Sequence, residues 1–216
     1  MTTLEEISRA VELGKPKLIK ELVPRAIEEG VAPQSILDEG LLHGMGIVGD
    51  RFTRNEAYVP EVLISARCMN KGVELIKPLL AEGGSQTVGK ACIGTVQGDL
   101  HDIGKNIVKL MLESKNFEVI DLEVDVSPEL FIQTAIEENC DLICCSALLT
   151  TTMPVMKRVV EAAEAAGIRD KVIIMIGGAP VTQAFCDEIG ADAYTDDGNL
   201  AAVRALELVT AKKEAG

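Results

Sequence analysis

The residues best suited to chemistry lie in one short loop, Gly98-Asp99-Leu100-His101-Asp102-Ile103-Gly104. It holds one of only two histidines in the chain, two positions after an aspartate. In an extended segment, residues two apart point to the same side, so Asp99 and His101 can meet. A carboxylate beside an imidazole fixes its tautomer and raises its basicity, as the partners of metal-bound histidines do. Two further stretches follow apolar runs: the hydroxyl-rich Ser146-Ala147-Leu148-Leu149-Thr150-Thr151-Thr152, and Gly177-Gly178-Ala179-Pro180. Singly, each has an ordinary reading: a structural hydrogen bond, a helix cap and a tight turn.

Several chemistries fail on their key residues. A receiver domain needs an aspartate at the end of the third strand, where Ser146 stands, and a lysine at the end of the fifth, where Thr195-Asp196-Asp197 stands. Hydrolysis by a serine nucleophile would want a G-x-S-x-G elbow, which is missing. Zinc needs three or four ligands, and the six cysteines form no CxxC pair. A single imidazole suffices for a metal already held in a macrocycle, as with haem.

The elements that must position these loops follow from periodicity. From Lys90 onward, apolar runs alternate with helical patterns. The expected strands are Lys90–Val96, Glu118–Leu122, Asp141–Ala147, Lys171–Ile176 and Ala191–Thr195. Helices are expected near 103–115, 128–139, 153–166, 181–189 and 198–212. Continuous runs such as Val172-Ile173-Ile174-Met175-Ile176 belong to strands covered on both faces. The pattern predicts an α/β, flavodoxin-like (Rossmann-like) domain at 87–216 with a five-stranded parallel sheet. In that fold ligands bind outside the carboxyl ends of the strands, at the switch point between strands 1 and 3. The three marked loops fall there.

Residues 1–86 read as an all-α four-helix bundle, closed by a flexible linker at Glu82-Gly83-Gly84-Ser85-Gln86. Thr3 and Glu6 have the spacing of a capping box. Gly14 and Gly30 end the first two helices, the second containing Pro24, and a third begins near Pro33. The fourth starts at Pro60, with Val62, Ala66, Met69, Val73, Ile76 and Leu80 forming a bundle seam. Gly44-Met45-Gly46-Ile47-Val48-Gly49 matches the dinucleotide fingerprint, but it lies in a helical pattern with no preceding strand. Its glycines are expected to let helices or a flat ligand approach closely.

Composition narrows the function further. The chain has 216 residues, 47% of them apolar, with a net charge of −13 and 3% aromatics. That balance argues against nucleic acid and anionic membranes. No apolar run approaches the length of a membrane span, and the start lacks a signal-peptide pattern. Buried cysteine thiols suit a reducing compartment, so a cytoplasmic protein is expected.

Taken together, Asp99-x-His101-x-x-Gly104, Ser146-x-Leu148 and Gly177-Gly178 resemble the cobalamin-binding signature DxHxxG…SxL…GG. The stretch Gly49-Asp50-Arg51-Phe52 through Tyr58-Val59-Pro60-Glu61-Val62 to Ser65-Ala66-Arg67 and Met69 resembles the helical cap of methionine synthase and of methyltransferase corrinoid proteins. The two resemblances cover nearly the whole chain and leave no room for a catalytic barrel. They imply a stand-alone corrinoid protein of a methylamine, methanol, betaine or methoxyarene methyltransfer system.

The resemblance implies cobalamin, as methylcobalamin, with His101 replacing its dimethylbenzimidazole beneath cobalt and Asp99 bonding the other ring nitrogen. Thr152 stands where methionine synthase continues the relay with a serine. Asp102 and Ile103 would contact the corrinoid. Gly104, Gly177 and Gly178 would leave space for its nucleotide tail, lined by Ser146, Leu148 and Thr150. Met45, Val48, Tyr58, Val59, Val62 and Met69 would form a lid over the opposite face, hinged at the linker.

In such systems a substrate-specific methyltransferase methylates Co(I), and a second methyltransferase passes the methyl to a pterin or thiol. A reductive activase can restore the carrier. The expectation is therefore a carrier subunit rather than a complete enzyme. A cobalamin-dependent mutase small subunit shares the signature but normally lacks the helical cap. A cobalamin-responsive regulator would be expected to add a DNA-binding or effector module. Both stay open as alternatives.

Overall fold

The computed structural model describes residues 2–83 and 87–215, and the chain divides into two compact units, Met1–Gln86 and Thr87–Gly216. The first is helical: α1 (Thr3–Glu12), α2 (Pro16–Glu28), α3 (Pro33–Ser35), a π-helical stretch (Ile36–Leu42), α4 (His43–Thr53) and α5 (Val59–Gly83). The capping box at its start uses Thr2 and Glu5, one residue earlier than expected. Thr2 has the extended backbone an N-cap requires, whereas Thr3 is already helical. Thr3 instead donates its hydroxyl to Glu29, and Glu6 pairs with Arg25. Pro24 sits inside α2 without ending it.

The expected third helix is a continuous path from Pro33 to Thr53 whose middle is π-helical. Its buried positions explain this. Residues 36, 37, 40, 41, 44, 45, 48 and 49 are all buried, a repeat of four. An α-helix has 3.6 residues per turn, so a repeat of four drifts by about 40° at each step. Wider π turns rotate the stripe back. Gly44 packs against α1, where a Cβ would lie 2.5 Å from the Ser8 carbonyl oxygen. The dinucleotide-like glycines therefore sit on a helix, where Gly44 serves close packing. Glu82 and Gly83 fall at the end of α5, and the rest of the expected linker, residues 84–86, lies outside the described residues.

The second unit alternates strands and helices: β1 (Gly89–Thr95), α6 (Ile103–Glu113), β2 (Phe117–Asp121), α7 (Pro128–Glu137), β3 (Leu142–Ser146), α8 (Pro154–Ala165), β4 (Ile173–Gly177), α9 (Gln183–Ile189), β5 (Ala193–Tyr194) and α10 (Gly198–Ala215). The sheet is parallel in the order β2-β1-β3-β4-β5, the flavodoxin-like order that the alternation predicts. Its middle strands are buried on both faces, with Cys92, Ile143, Cys145, Ile174 and Ile176 in one core. These cysteines behave as small apolar residues; all six are free thiols.

Pairing register brings the functional loops together. Thr95 of β1 is level with Ser146 of β3, and Ser146 is level with Gly177 of β4. Each is the last residue of its strand, so three loops leave the sheet side by side at the switch point. Among the described residues, no helix is long and apolar enough to cross a membrane.

Candidate functional site

The first loop departs from β1 through a turn closed by the Asp99 N–H on the Val96 carbonyl, 3.1 Å, with Gly98 at φ 85°. That left-handed conformation suits glycine. Asp99 turns inward and is fully buried. A carboxylate so placed must be fully hydrogen-bonded, and it is. Its Oδ1 accepts from the His101 N–H at 3.1 Å and lies 2.7 Å from His101 Nδ1. Its Oδ2 accepts from the N–H groups of Leu148 and Leu149 at 2.8 and 3.2 Å, and from the Thr152 hydroxyl at 2.8 Å.

Burial by itself would raise the Asp99 pKa. The bonds from the His101 ring, the Leu148 and His101 N–H groups and the Thr152 hydroxyl outweigh it and hold the carboxyl well below the usual range. Asp99 is therefore an anion, and His101 Nδ1 carries the proton that bonds to it. In the neutral imidazole that places the lone pair on Nε2, the nitrogen that could ligate a metal. The His101 side chain is 52% exposed, so this is an imidazole anchored by one nitrogen while its ring reaches solvent. Around it stand exposed apolar side chains, Leu100, Ile103, Leu148 and Leu149. Such a collar around a polar centre marks a binding surface for something largely apolar.

Residues 89–205 match the B12 binding domain family, and residues 3–77 match a second family also described as B12 binding domain. The chain is 44% identical over 207 residues to the dimethylamine corrinoid protein of Methanosarcina barkeri, covering 95% of this chain and 97% of that one. It belongs to the B12-binding corrinoid proteins. It is also 41% identical to trimethylamine corrinoid protein 1 of Methanosarcina acetivorans, covering 89% of this chain and 91% of the relative. Among solved structures it resembles the methanol:cobalamin methyltransferase complex MtaBC of Methanosarcina barkeri, with a TM-score of 0.86 and 30% identity over 96% of this chain and 80% of that one. A cobalamin-binding protein from Desulfitobacterium hafniense gives 0.79 at 27% identity, covering 98% and 99% of the two chains. The cofactor of this corrinoid protein is thus cobalamin.

The residues present fit that cofactor. A Cβ built at Gly104 or at Gly177 meets no other atom within 4 Å, so both glycines face open space beside the sheet. Gly178 differs from expectation. It has φ 130°, and its Cβ would lie 1.8 Å from the Ala147 carbonyl oxygen. The segments that follow β4 and β3 approach too closely there for any side chain, which by itself requires glycine.

Other expected site residues separate by environment. Ser146 is half-buried at the end of β3, while Leu148 and Thr150 are exposed beyond it. Asp102 and Ile103 are exposed at the start of α6, with Asp102 accepting from the Asn106 side chain at 3.1 Å. In the helical unit, Met45, Val48, Val62 and Met69 are at most 1% exposed and form its core. Tyr58 is exposed and Val59 half-buried.

Sequence reasoning missed three contributors. Leu149 adds an N–H to Asp99 and an exposed side chain to the collar. Thr95, fully buried, donates its hydroxyl to the His101 carbonyl at 2.8 Å. Asp125 accepts from the Gly98 N–H at 2.7 Å. A backbone donor has no sequence signal. A hydroxyl closing an apolar strand, as Thr95 does, was the one available clue.

Proposed function

We propose that this protein is a methyl carrier, with His101 as the protein ligand beneath the cobalt of its corrinoid. The carrying observation is the anchored imidazole: Nδ1 is fixed on a buried, multiply bonded Asp99 while the ring remains half exposed. When bound, the cofactor supplies a cobalt centre that takes up and gives up a methyl group. The chain's own residues do the rest. Asp99 holds the tautomer and makes Nε2 a stronger donor, and Thr152 with the Leu148 and Leu149 amides holds Asp99. Gly104 and Gly177 leave room beside the sheet for the corrinoid and its displaced tail. Asp102, Ile103, Ser146, Leu148 and Thr150 line this region.

The partners in this reading are a substrate-specific methyltransferase that loads the carrier and a second methyltransferase that unloads it to a pterin or thiol. A reductive activase completes the set. The names of the dimethylamine and trimethylamine relatives support a donor enzyme of the methylamine class, and the MtaBC complex supports direct docking on a methyltransferase.

Electron spin resonance of the Co(II) protein tests the ligand. Full-length chain reconstituted with cobalamin is expected to show coupling to one axial nitrogen, lost in His101→Ala. An unchanged nitrogen signal in the variant would sink the assignment.

A further inference from the structure

Besides Asp99, the His101 loop is gripped from the connection between β2 and α7, residues 122–127. Two non-glycine residues there, Glu123 and Asp125, adopt left-handed conformations, with φ 67° and 58°. That conformation is uncommon for residues other than glycine and persists where surroundings enforce it. Several of the enforcing bonds run to the loop-bearing strand or to the loop itself. Leu122 N–H reaches the Ile93 carbonyl, Thr95 N–H the Glu123 carbonyl, and Val126 N–H the Thr95 carbonyl, at 2.8–3.0 Å. Asp125 then makes a reciprocal pair with the loop: its N–H donates to the Asp99 carbonyl at 3.1 Å, and its carboxylate accepts from the Gly98 N–H at 2.7 Å.

The far side of the loop is tied to the same connection. Lys105, in the first turn of α6 and only 1% exposed, reaches Asp121 at the end of β2, at 2.5 Å. Asp121 also accepts from the Glu123 N–H at 2.9 Å. The chain on both sides of His101 is therefore bound to the end of β2 and the connection that follows it. Thr95, itself bonded to that segment, holds the His101 carbonyl between the two ties.

We propose that Asp125 and Thr95 are positioning residues for the axial histidine, and that the β2–α7 connection is a clamp setting the height of His101 above the sheet. This rests on His101 being the cobalt ligand. The Asp99 network fixes the ring's tautomer and rotation. The clamp fixes the backbone from which the ring extends. Loosening it shifts the balance between ligated and unligated imidazole without removing any group that touches the corrinoid.

The test uses the full chain reconstituted with cobalamin, read by electron spin resonance in the Co(II) state alongside melting curves of the apo form. Asp125→Gly removes the carboxylate yet keeps the left-handed backbone accessible. Asp125→Asn retains an acceptor oxygen and tolerates the same conformation. Thr95→Val removes the hydroxyl at nearly constant shape. With loss of one such bond, the ratio of nitrogen-ligated to unligated cobalt is expected to fall roughly tenfold in D125G and T95V. D125N should stay near wild type, and all variants should bind equal corrinoid. If D125G and T95V both keep the wild-type ratio, the clamp is overturned while His101 ligation stands. If the wild-type chain itself shows no axial nitrogen, the ligand assignment fails and takes the clamp with it.

Discussion

At the scale of single residues, the site depends on keeping one buried carboxylate charged. Asp99 collects donors from two loops, and the Thr152 hydroxyl is the single side-chain donor among those from the second. Thr152 Oγ1 also lies 2.9 Å from the Leu149 carbonyl. With one proton and two acceptors, the hydroxyl favours the anion, because charge-assisted bonds are the stronger. Thr152→Val should therefore lower apo stability by about 1–3 kcal/mol and reduce the nitrogen-ligated fraction of Co(II). Thr152→Ser should keep both near wild type, since only a methyl group is lost. Paired melting curves and electron spin resonance spectra check this, and a T152V protein matching wild type on both would contradict it.

At the scale of elements, glycines of the same signature have different surroundings. Gly104→Ala and Gly177→Ala should leave apo stability within about 1 kcal/mol of wild type, since no neighbour meets the new Cβ. Corrinoid uptake, measured by absorbance after reconstitution, should fall. Gly178→Ala should instead destabilise the apo protein by roughly 2–6 kcal/mol, from clash and backbone strain. Equal melting points for all three would refute the distinction.

The tie between α6 and β2 adds a pH dependence. Burial would raise the Asp121 pKa, but bonds from Lys105, the Glu123 N–H and Lys109 lower it below the ordinary value. A carboxyl lowered in the folded state stabilises fully above its unfolded pKa, about 3.9. The contribution is lost as pH falls through the lower folded value. Asp121→Asn should thus melt lower than wild type at pH 7, with the gap closing towards pH 3. A gap that widens on acidification would exclude the ion pair as its source.

At the scale of the whole molecule, each unit carries its own buried core: Ile7, Val23, Leu41, Met45 and Ile76 in the helical unit, and the two-faced sheet core in the other. We propose that the two units are separately folding domains, joined near residues 82–86. A fragment spanning 87–216 should then unfold in one cooperative transition by circular dichroism and bind cobalamin with His101 on cobalt. A fragment that is molten alone would show that the helical unit is needed for its fold.

The sequence by itself determined the class of the fold, because periods of 3.6 and 2 and fully apolar strands are local consequences of which faces are buried. It also determined that Asp99 and His101 would pair, since two positions of separation suffice. The strand order and the convergence of three loops at one edge followed from the parallel alternation. Local patterns could not decide where Asp99 sends its second oxygen, why Gly178 is glycine, or that Thr95 and Asp125 hold the loop. Apart from Thr95 and His101, which are six positions apart, those contacts join residues 26 to 53 positions apart, and many use backbone groups that every residue has. Nor could the apolar residues of α4 and α5 be sorted from sequence into lid and core. Met45, Val48, Val62 and Met69 carry the same spacing either way, and it is the folded chain that shows all four buried.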